Sequence, residues 1–131
     1  MSEFYNDSFS ITKKSRIKHP RLSFKKMKED ILGKKYSLSL VFIGDATSRY
    51  LNIRYKNKDK PASILSFPLS SKDGEIFINL KKARDDAPKF GMSFKVFLIY
   101  LFIHGLLHLK GMEHGCTMDK EEKRLLKRYR S

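Results

Sequence analysis

Residues 94–114 read FKVFLIYLFIHGLLHLKGMEH, and this stretch decides how the chain is organised. From Val96 to Leu107 it is apolar, broken only by His104 and Gly105. A bilayer span needs ~20 apolar residues, so the run is too short and too interrupted to cross a membrane. It reads as a buried core helix. Ser93 is placed to cap its start, the helix reaches Leu109, and Gly111 can take the left-handed conformation that ends a helix and reverses the chain. Three of the chain's four histidines, His104, His108 and His114, fall within this stretch.

His104 and His108 are four residues apart, so they share one helix face about 6 Å apart along the axis. Beyond Gly111 the chain can swing His114 back toward them. Three imidazoles suit one zinc ion, and three protein ligands leave a fourth position for water. The H-x3-H-x2-G-x2-H spacing is that of the metzincin zinc proteases. Those enzymes use a Glu directly after the first His as general base, and here Gly105 stands in its place, which demotes a peptidase. A structural zinc site ordinarily adds a fourth protein ligand, and Cys116 is the one nearby candidate. Glu113, next to a ligand, reads as a surface or supporting residue. Gly105 costs a helix ~1 kcal/mol relative to Ala, which points to close approach of a backbone, a ligand or tight packing.

Upstream, Ser23 can cap a helix running to about Leu32 with Gly33 as its stop. Tyr36, Leu38, Leu40 and Phe42 alternate with smaller residues and predict a strand ending at Gly44. Asp45 can cap a second helix whose apolar positions include Tyr50, Leu51 and Tyr55. A polar loop, Lys56 to Pro61, leads to a strand over Ile64 to Phe67 that stops at Pro68. Asp73-Gly74 marks a turn, and Glu75 to Leu80 forms the hairpin partner. A short helix covers Lys81 to Ala87, and a charged helix, Met118 to Arg130, turns Leu125 and Leu126 inward. Residues 1–20 form a basic N-terminal segment with Phe4, Tyr5 and Phe9 and no assignable periodicity. The order α-β-α-β-β-α-α-α indicates an α+β fold, a small mixed sheet packed against several helices, with the zinc site on a core helix and the loop after it.

With 131 residues the chain fits one domain, 1–131, able to bury a core without disulfides. Hydrophobic residues at 40% exclude a disordered composition. One cysteine rules out an intrachain disulfide, so a reducing, cytoplasmic setting is expected, and the N-terminus lacks a signal-peptide core. Lys and Arg number 28 against 14 Asp and Glu, a net charge of +14 that attracts polyanions. Arg54, Lys56, Lys58 and Lys60 are candidate phosphate-binding residues. Such a run ordinarily marks a solvated face. Beside a metal cleft it gains weight, because phosphodiester cleavage needs positive groups around the developing charge. Tyr36, Tyr50 and Tyr55 read as core or rim residues, and His19 has no assigned role.

The segment from His104 to His114 resembles the HGxLHLxGYDH signature of the YbeY family, the bacterial metal-dependent endoribonucleases also called rRNA maturation factors. Lys58-Asp59-Lys60-Pro61, followed by Leu65-Ser66-Phe67-Pro68, resembles that family's RGKDxPTDVLSFP signature, and Gly74-Glu75-Ile76 its GDI strand. The likeness runs from about Tyr36 to His114. It implies an α+β fold with a zinc cleft, His104, His108 and His114 as ligands of one Zn2+, and single-strand endoribonuclease activity. It also implies a role in 16S rRNA 3′-end processing and ribosome quality control. The family's loop arginine falls on Lys56, which supplies a point charge in place of a bidentate fork. Asn57 replaces the following Gly, Ala62-Ser63 the Thr-Asp pair, and Met112 and Glu113 the Tyr and Asp. The basic tail differs from the acidic tails of family members.

The expected activity is thus zinc-dependent cleavage of single-stranded RNA, with rRNA of the small ribosomal subunit as the expected substrate and with Lys56 and the three histidines as catalytic residues. An assembly protein is an expected partner, and no membrane is. A non-catalytic rRNA-binding assembly factor with a zinc site is the first competitor, marked by the Lys56 and Ala62-Ser63 departures. Another zinc hydrolase, such as a peptidase, is the second.

Overall fold

The computed structural model describes residues 2–6 and 8–130, with the backbone alone for 2–6. The first half comprises β1 (Ser2–Asn6), β2 (Phe9–Lys13), α1 (Phe24–Leu32), β3 (Ser37–Ile43) and α2 (Asp45–Lys56). The second comprises β4 (Ile64–Ser70), β5 (Asp73–Asn79), α3 (Leu80–Asp86), a 3-10 turn (Ala87–Phe90), α4 (Phe94–Leu109) and α5 (Cys116–Tyr129). The strands form one mixed sheet in the order β1-β2-β3-β5-β4. The β2–β3 and β3–β5 pairs are parallel, and the β1–β2 and β4–β5 pairs are antiparallel. This is the α+β class that the sequence predicts.

α4 is the centre of the molecule. The Ser93 hydroxyl accepts from the Val96 amide at 3.2 Å, as the cap expectation requires. Phe97, Leu98, Ile99, Leu101, Phe102, Ile103, Leu106 and Leu107 are all buried, so the helix is apolar over most of its girth and packs against other elements on every side but the half-buried stripe of Val96, Tyr100, His104 and His108. Burying each such side chain contributes ~1.5–3 kcal/mol relative to exposure. One sheet face supplies the floor: Phe9 and Ile11 of β2, Leu38, Leu40 and Phe42 of β3, and Ile76 and Ile78 of β5 share its two-residue period and its core. Gly74 on β5 leaves room beneath the Tyr36 hydroxyl and Leu109. A Cβ there would lie 2.9 Å from a Leu109 methyl and against that hydroxyl.

Several elements differ from the sequence expectation. The N-terminal segment supplies β1 and β2, so the sheet begins before the first predicted helix. Gly44, not Asp45, is the N-cap of α2. The Asp45 carboxylate instead accepts from the Asn79 amide at 2.8 Å, tying the start of α2 to the end of β5. β4 continues through Pro68 to Ser70, and Asp73-Gly74 belongs to β5, so the turn is at Ser71-Lys72. Proline is tolerated there because β4 is the sheet edge, where an amide is not needed by a neighbour. The Ser23 side chain makes no capping bond, although Gly33 ends α1 with φ 92°.

The inward face of α2 is the largest correction. Tyr50 and Tyr55 are each 59% exposed, whereas Ser48 and Asn52 are the buried residues. The Ser48 hydroxyl donates to the Ala62 carbonyl at 2.8 Å and accepts from the Ala62 amide at 2.7 Å. The Asn52 side chain donates to the Lys60 carbonyl at 2.9 Å. Hydrogen bonding to the following loop, not hydrophobicity, decides which side of α2 turns inward, since a buried amide or hydroxyl needs a partner.

Candidate metal centre

His104 and His108 sit one turn apart near the C-terminal end of α4, both half-buried. The chain leaves α4 at Lys110, and Gly111 turns it with φ 102°, a left-handed value that favours glycine. That turn returns His114 to the other two. The ring centroids lie 4.6 Å (His104–His108), 4.7 Å (His108–His114) and 5.1 Å (His104–His114) apart. One ligand nitrogen from each ring lies within 4.8 Å of the others. The His104 and His108 Nε2 atoms are 3.1 Å apart. Imidazoles ~2.0–2.1 Å from a tetrahedral zinc would place their nitrogens about 3.3 Å apart, so the arrangement fits such an ion. Among the described residues no carboxylate or thiol joins the three nitrogens.

Behind the histidines lies a residue that the sequence reading did not single out. The His104 Nδ1 contacts the Glu122 carboxyl group, and Glu122, on α5, is 6% exposed. With Nδ1–H donating to that carboxyl, the His104 Nε2 lone pair is directed at the shared point, as a metal ligand requires. Met118, Glu122, Leu125 and Leu126 form the buried stripe of α5. A glutamate at an inward position of an amphipathic helix was the available signal; the charged composition of the tail hid it. Burial depresses the His108 pKa below its ordinary value, helped by the neighbouring imidazoles and by Lys56. The ring is thereby kept neutral, the form that binds a metal.

The histidines open onto a cleft of about 610 Å³ between α4, β4 and the loop after α2. Lys56, Lys58 and Lys60 line it, as do Asn52, Ser66 and Lys82. Lys82, on α3, was not anticipated, because it comes from a segment remote from the basic loop. The Lys56 ammonium lies 5.7 Å from the centroid of the Phe67 ring, a cation–π contact that gives the chain a defined resting place. Arg54 is absent from the cleft lining, and its guanidinium lies over Tyr55. Asp59 is paired with Arg49 at 2.6 Å. Asn57 takes φ 57° as the left-handed C-cap of α2. Asn is one of the few residues besides Gly that visits this region, so the turn persists without the glycine.

Gly105, on the same stretch of α4, faces β4 and β5. A Cβ would lie 2.9 Å from the Ser66 hydroxyl oxygen and 3.0 Å from the ends of Ile64 and Ile76. Its smallness lets α4 sit close to the edge strand. This also leaves no room for the glutamate that the zinc proteases carry after the first histidine. Cys116 is exposed at the start of α5 and does not belong to the three-nitrogen cluster. His19 packs against Phe42, with ring centroids 4.5 Å apart, far along the sequence from the other histidines. Among the described residues no single helix is long and apolar enough to cross a membrane.

Comparison with known proteins places this geometry in a family. Residues 4–130 match the family model described as Endoribonuclease YbeY. A protein of that name from Chelativorans is 37% identical over 101 residues, covering 70% of this chain and 62% of the relative. Another from Clostridium botulinum strain Hall is 32% identical over 127 residues, covering 77% of this chain and 75% of the relative. The chain thus spans less than two thirds of the Chelativorans protein's length. A solution structure from Thermotoga maritima superposes with a TM-score of 0.62 at 25% identity, covering 89% of this chain and 87% of that one. By the extent of this match, from residue 4 to residue 130, the chain belongs to the YbeY endoribonuclease family.

Proposed function

We propose that the protein is a zinc-dependent endoribonuclease that cuts single-stranded RNA, acting in the cytoplasm on the 3′ end of 16S rRNA during small-subunit maturation and quality control. The observation that carries this reading is the convergence of His104, His108 and His114 at the floor of a lysine-lined cleft. A zinc ion held by the three imidazoles supplies Lewis-acid activation of water and neutralises charge developing at phosphorus. Glu122 holds His104 in the tautomer that leaves Nε2 free to bind. Lys56, Lys58 and Lys60 attract the RNA backbone, and Lys56 lies beside the scissile phosphate. Arg54, outside the cleft, contacts flanking nucleotides at its rim. Because Ser48 and Asn52 pin the loop, the lysine backbone positions are fixed before RNA arrives. A ribosome-assembly protein is the proposed escort to the substrate.

The absence of a glutamate after His104, and of room for one at Gly105, favours RNA over a peptide substrate. The test is cleavage of a single-stranded rRNA 3′-end fragment by the zinc-loaded protein, against a chelated sample. Cleavage that follows metal content supports the proposal. A metal-loaded protein that binds this RNA without cutting it would favour the assembly-factor reading, with Lys56 in place of arginine as the suspected cause.

A further inference from the structure

The net charge of the chain is not concentrated at the cleft. From Ser8 to Lys28 the sequence holds eight Lys or Arg and no Asp or Glu. The structure gathers part of this charge on the segment joining β2 to α1. Lys14, Arg16, Lys18 and Arg21 are exposed, whereas Ser15, Ile17 and His19 between them are partly buried. The segment is held down at several points. The Lys14 amide donates to the Phe42 carbonyl at 2.8 Å. Ile17 packs on the core, and the His19 ring lies 4.5 Å from that of Phe42 and 6.0 Å from that of Phe24. The anchored half of each pair faces the protein and the charged half faces out. Lys13, Lys18 and Arg21 flank a groove of about 810 Å³ floored by Ile11, Leu22 and Phe24.

Nearby lysines on α1 are neutralised: Lys25 pairs with Glu29 at 3.3 Å and Lys26 with Asp30 at 3.5 Å. Among the described residues no carboxylate forms an ion pair with Lys14, Arg16, Lys18 or Arg21. A fixed cluster of one sign opposes folding by self-repulsion and attracts a polyanion. The groove follows β2, whereas the histidine cleft lies along β4 at the other side of the sheet. With β3 and β5 between them, three strand spacings separate the two, about 14 Å.

We propose that Lys14, Arg16, Lys18 and Arg21 form a second RNA-binding surface, which grips the phosphate backbone of a strand or helix remote from the cleft. The choice of RNA rests on the function proposed above; the site itself rests on the arrangement of these cations. It binds backbone without reading bases, so it raises affinity for long RNA and leaves the chemistry at the histidines untouched. Two anchoring points on one molecule strengthen binding only when the RNA is long enough to reach both.

The test compares the wild-type protein with a variant carrying Lys14→Glu, Arg16→Glu, Lys18→Glu and Arg21→Glu. A control carries Lys120→Glu, Lys123→Glu, Lys127→Glu and Arg130→Glu, an equal change in net charge on the exposed side of α5 and the residue after it. Binding of a short oligonucleotide of about 4 residues and of an RNA several times longer is measured over a range of salt. The proposal predicts that the first variant binds the long RNA at least about tenfold more weakly. Its log–log salt slope should fall by up to about 3, since each single-strand phosphate contact contributes about 0.7. The control and the short oligonucleotide should change little. Equal weakening in both variants would show that overall charge is responsible and would overturn the proposal. Unchanged long-RNA binding by the first variant, with its thermal melt intact, would also overturn it. If this charge-reversed variant fails to fold, Gln replaces Glu at the same four positions. Long-RNA binding that is lost in the variant but unaccompanied by cleavage in the wild type would support this surface while defeating the nuclease reading.

Discussion

Replacing Glu122 by Gln and by Ala separates the shape of the buried group behind the histidines from its ability to hold His104. Glu122 is 6% exposed and contacts the His104 Nδ1 from α5, eighteen residues further along the chain. Groups that support a metal-binding histidine in this way typically contribute 10–100-fold in metal affinity, equivalent to about 1.4–2.8 kcal/mol. Glu122→Gln keeps an oxygen able to accept from Nδ1–H, so it falls near the lower end. Glu122→Ala removes the acceptor and leaves the ring free to rotate or change tautomer, so it falls near the upper end. Zinc affinity is measured by competition with a chromogenic chelator, on protein stripped of metal and returned to neutral pH. The expected order is wild type, then Gln, then Ala, with about one decade from wild type to Gln and about two from wild type to Ala. The metal-free melts of each variant are recorded in parallel, so that loss of packing is seen separately from loss of affinity. If Glu122→Ala binds zinc within about twofold of wild type while folding normally, Glu122 does not orient His104.

Gly105→Ala places a methyl 2.9 Å from Ser66 and 3.0 Å from Ile64 and Ile76. Overpacking of about 1–3 kcal/mol is partly offset by ~1 kcal/mol of helix propensity, so a net destabilisation of about 1 kcal/mol is expected in urea melts; stabilisation would contradict the packing described. Lys56→Ala should slow RNA cleavage while leaving zinc content unchanged, and loss of zinc would show that Lys56 supports the metal site. Tyr129→Phe removes the hydroxyl that donates to Asp30, at a cost of about 1 kcal/mol. The Asp30 pKa is depressed chiefly by that hydrogen bond, so its contribution is present above about pH 3.9 and is lost as pH falls through the lower folded value. Burial and then the Asp30 hydrogen bond push Tyr129 up to about 12, so its contribution is present below pH ~10 and is lost as pH rises through that value. The wild-type advantage over Tyr129→Phe should therefore be flat between these limits and shrink outside them. A difference that does not vary at either extreme would contradict the pairing.

The parts of the fold that were legible are those decided by neighbours in sequence. α4 is written in an apolar run, interrupted by His104 and Gly105, between a serine cap and a glycine turn, and the three histidines follow from helix geometry plus that turn. The β4–β5 pair follows from local alternation, although the turn itself is displaced to Ser71-Lys72. What was hidden depends on contacts made at a distance. β2 pairs in parallel with β3, joining residues 9–13 to 38–42, and no local pattern announces such a partner. On α2, residue hydrophobicity pointed to Tyr50 and Tyr55, but the loop's need for hydrogen-bond partners turned Ser48 and Asn52 inward. Glu122 was hidden for a related reason: a carboxylate in a charged tail reads as solvated until the histidine it meets is placed beside it. Lys82 joins the cleft only because β5 carries α3 up to it.

The central claim is that the three histidines hold a metal that RNA cleavage requires. The most direct measurement is the cleavage rate of a single-stranded rRNA 3′-end fragment, recorded with zinc content per chain for wild type, chelated wild type and His108→Ala. The account predicts one zinc per chain with cleavage in the wild type, and joint loss of zinc and cleavage in the other two samples. Cleavage at the wild-type rate by a folded, metal-free His108→Ala protein would contradict it.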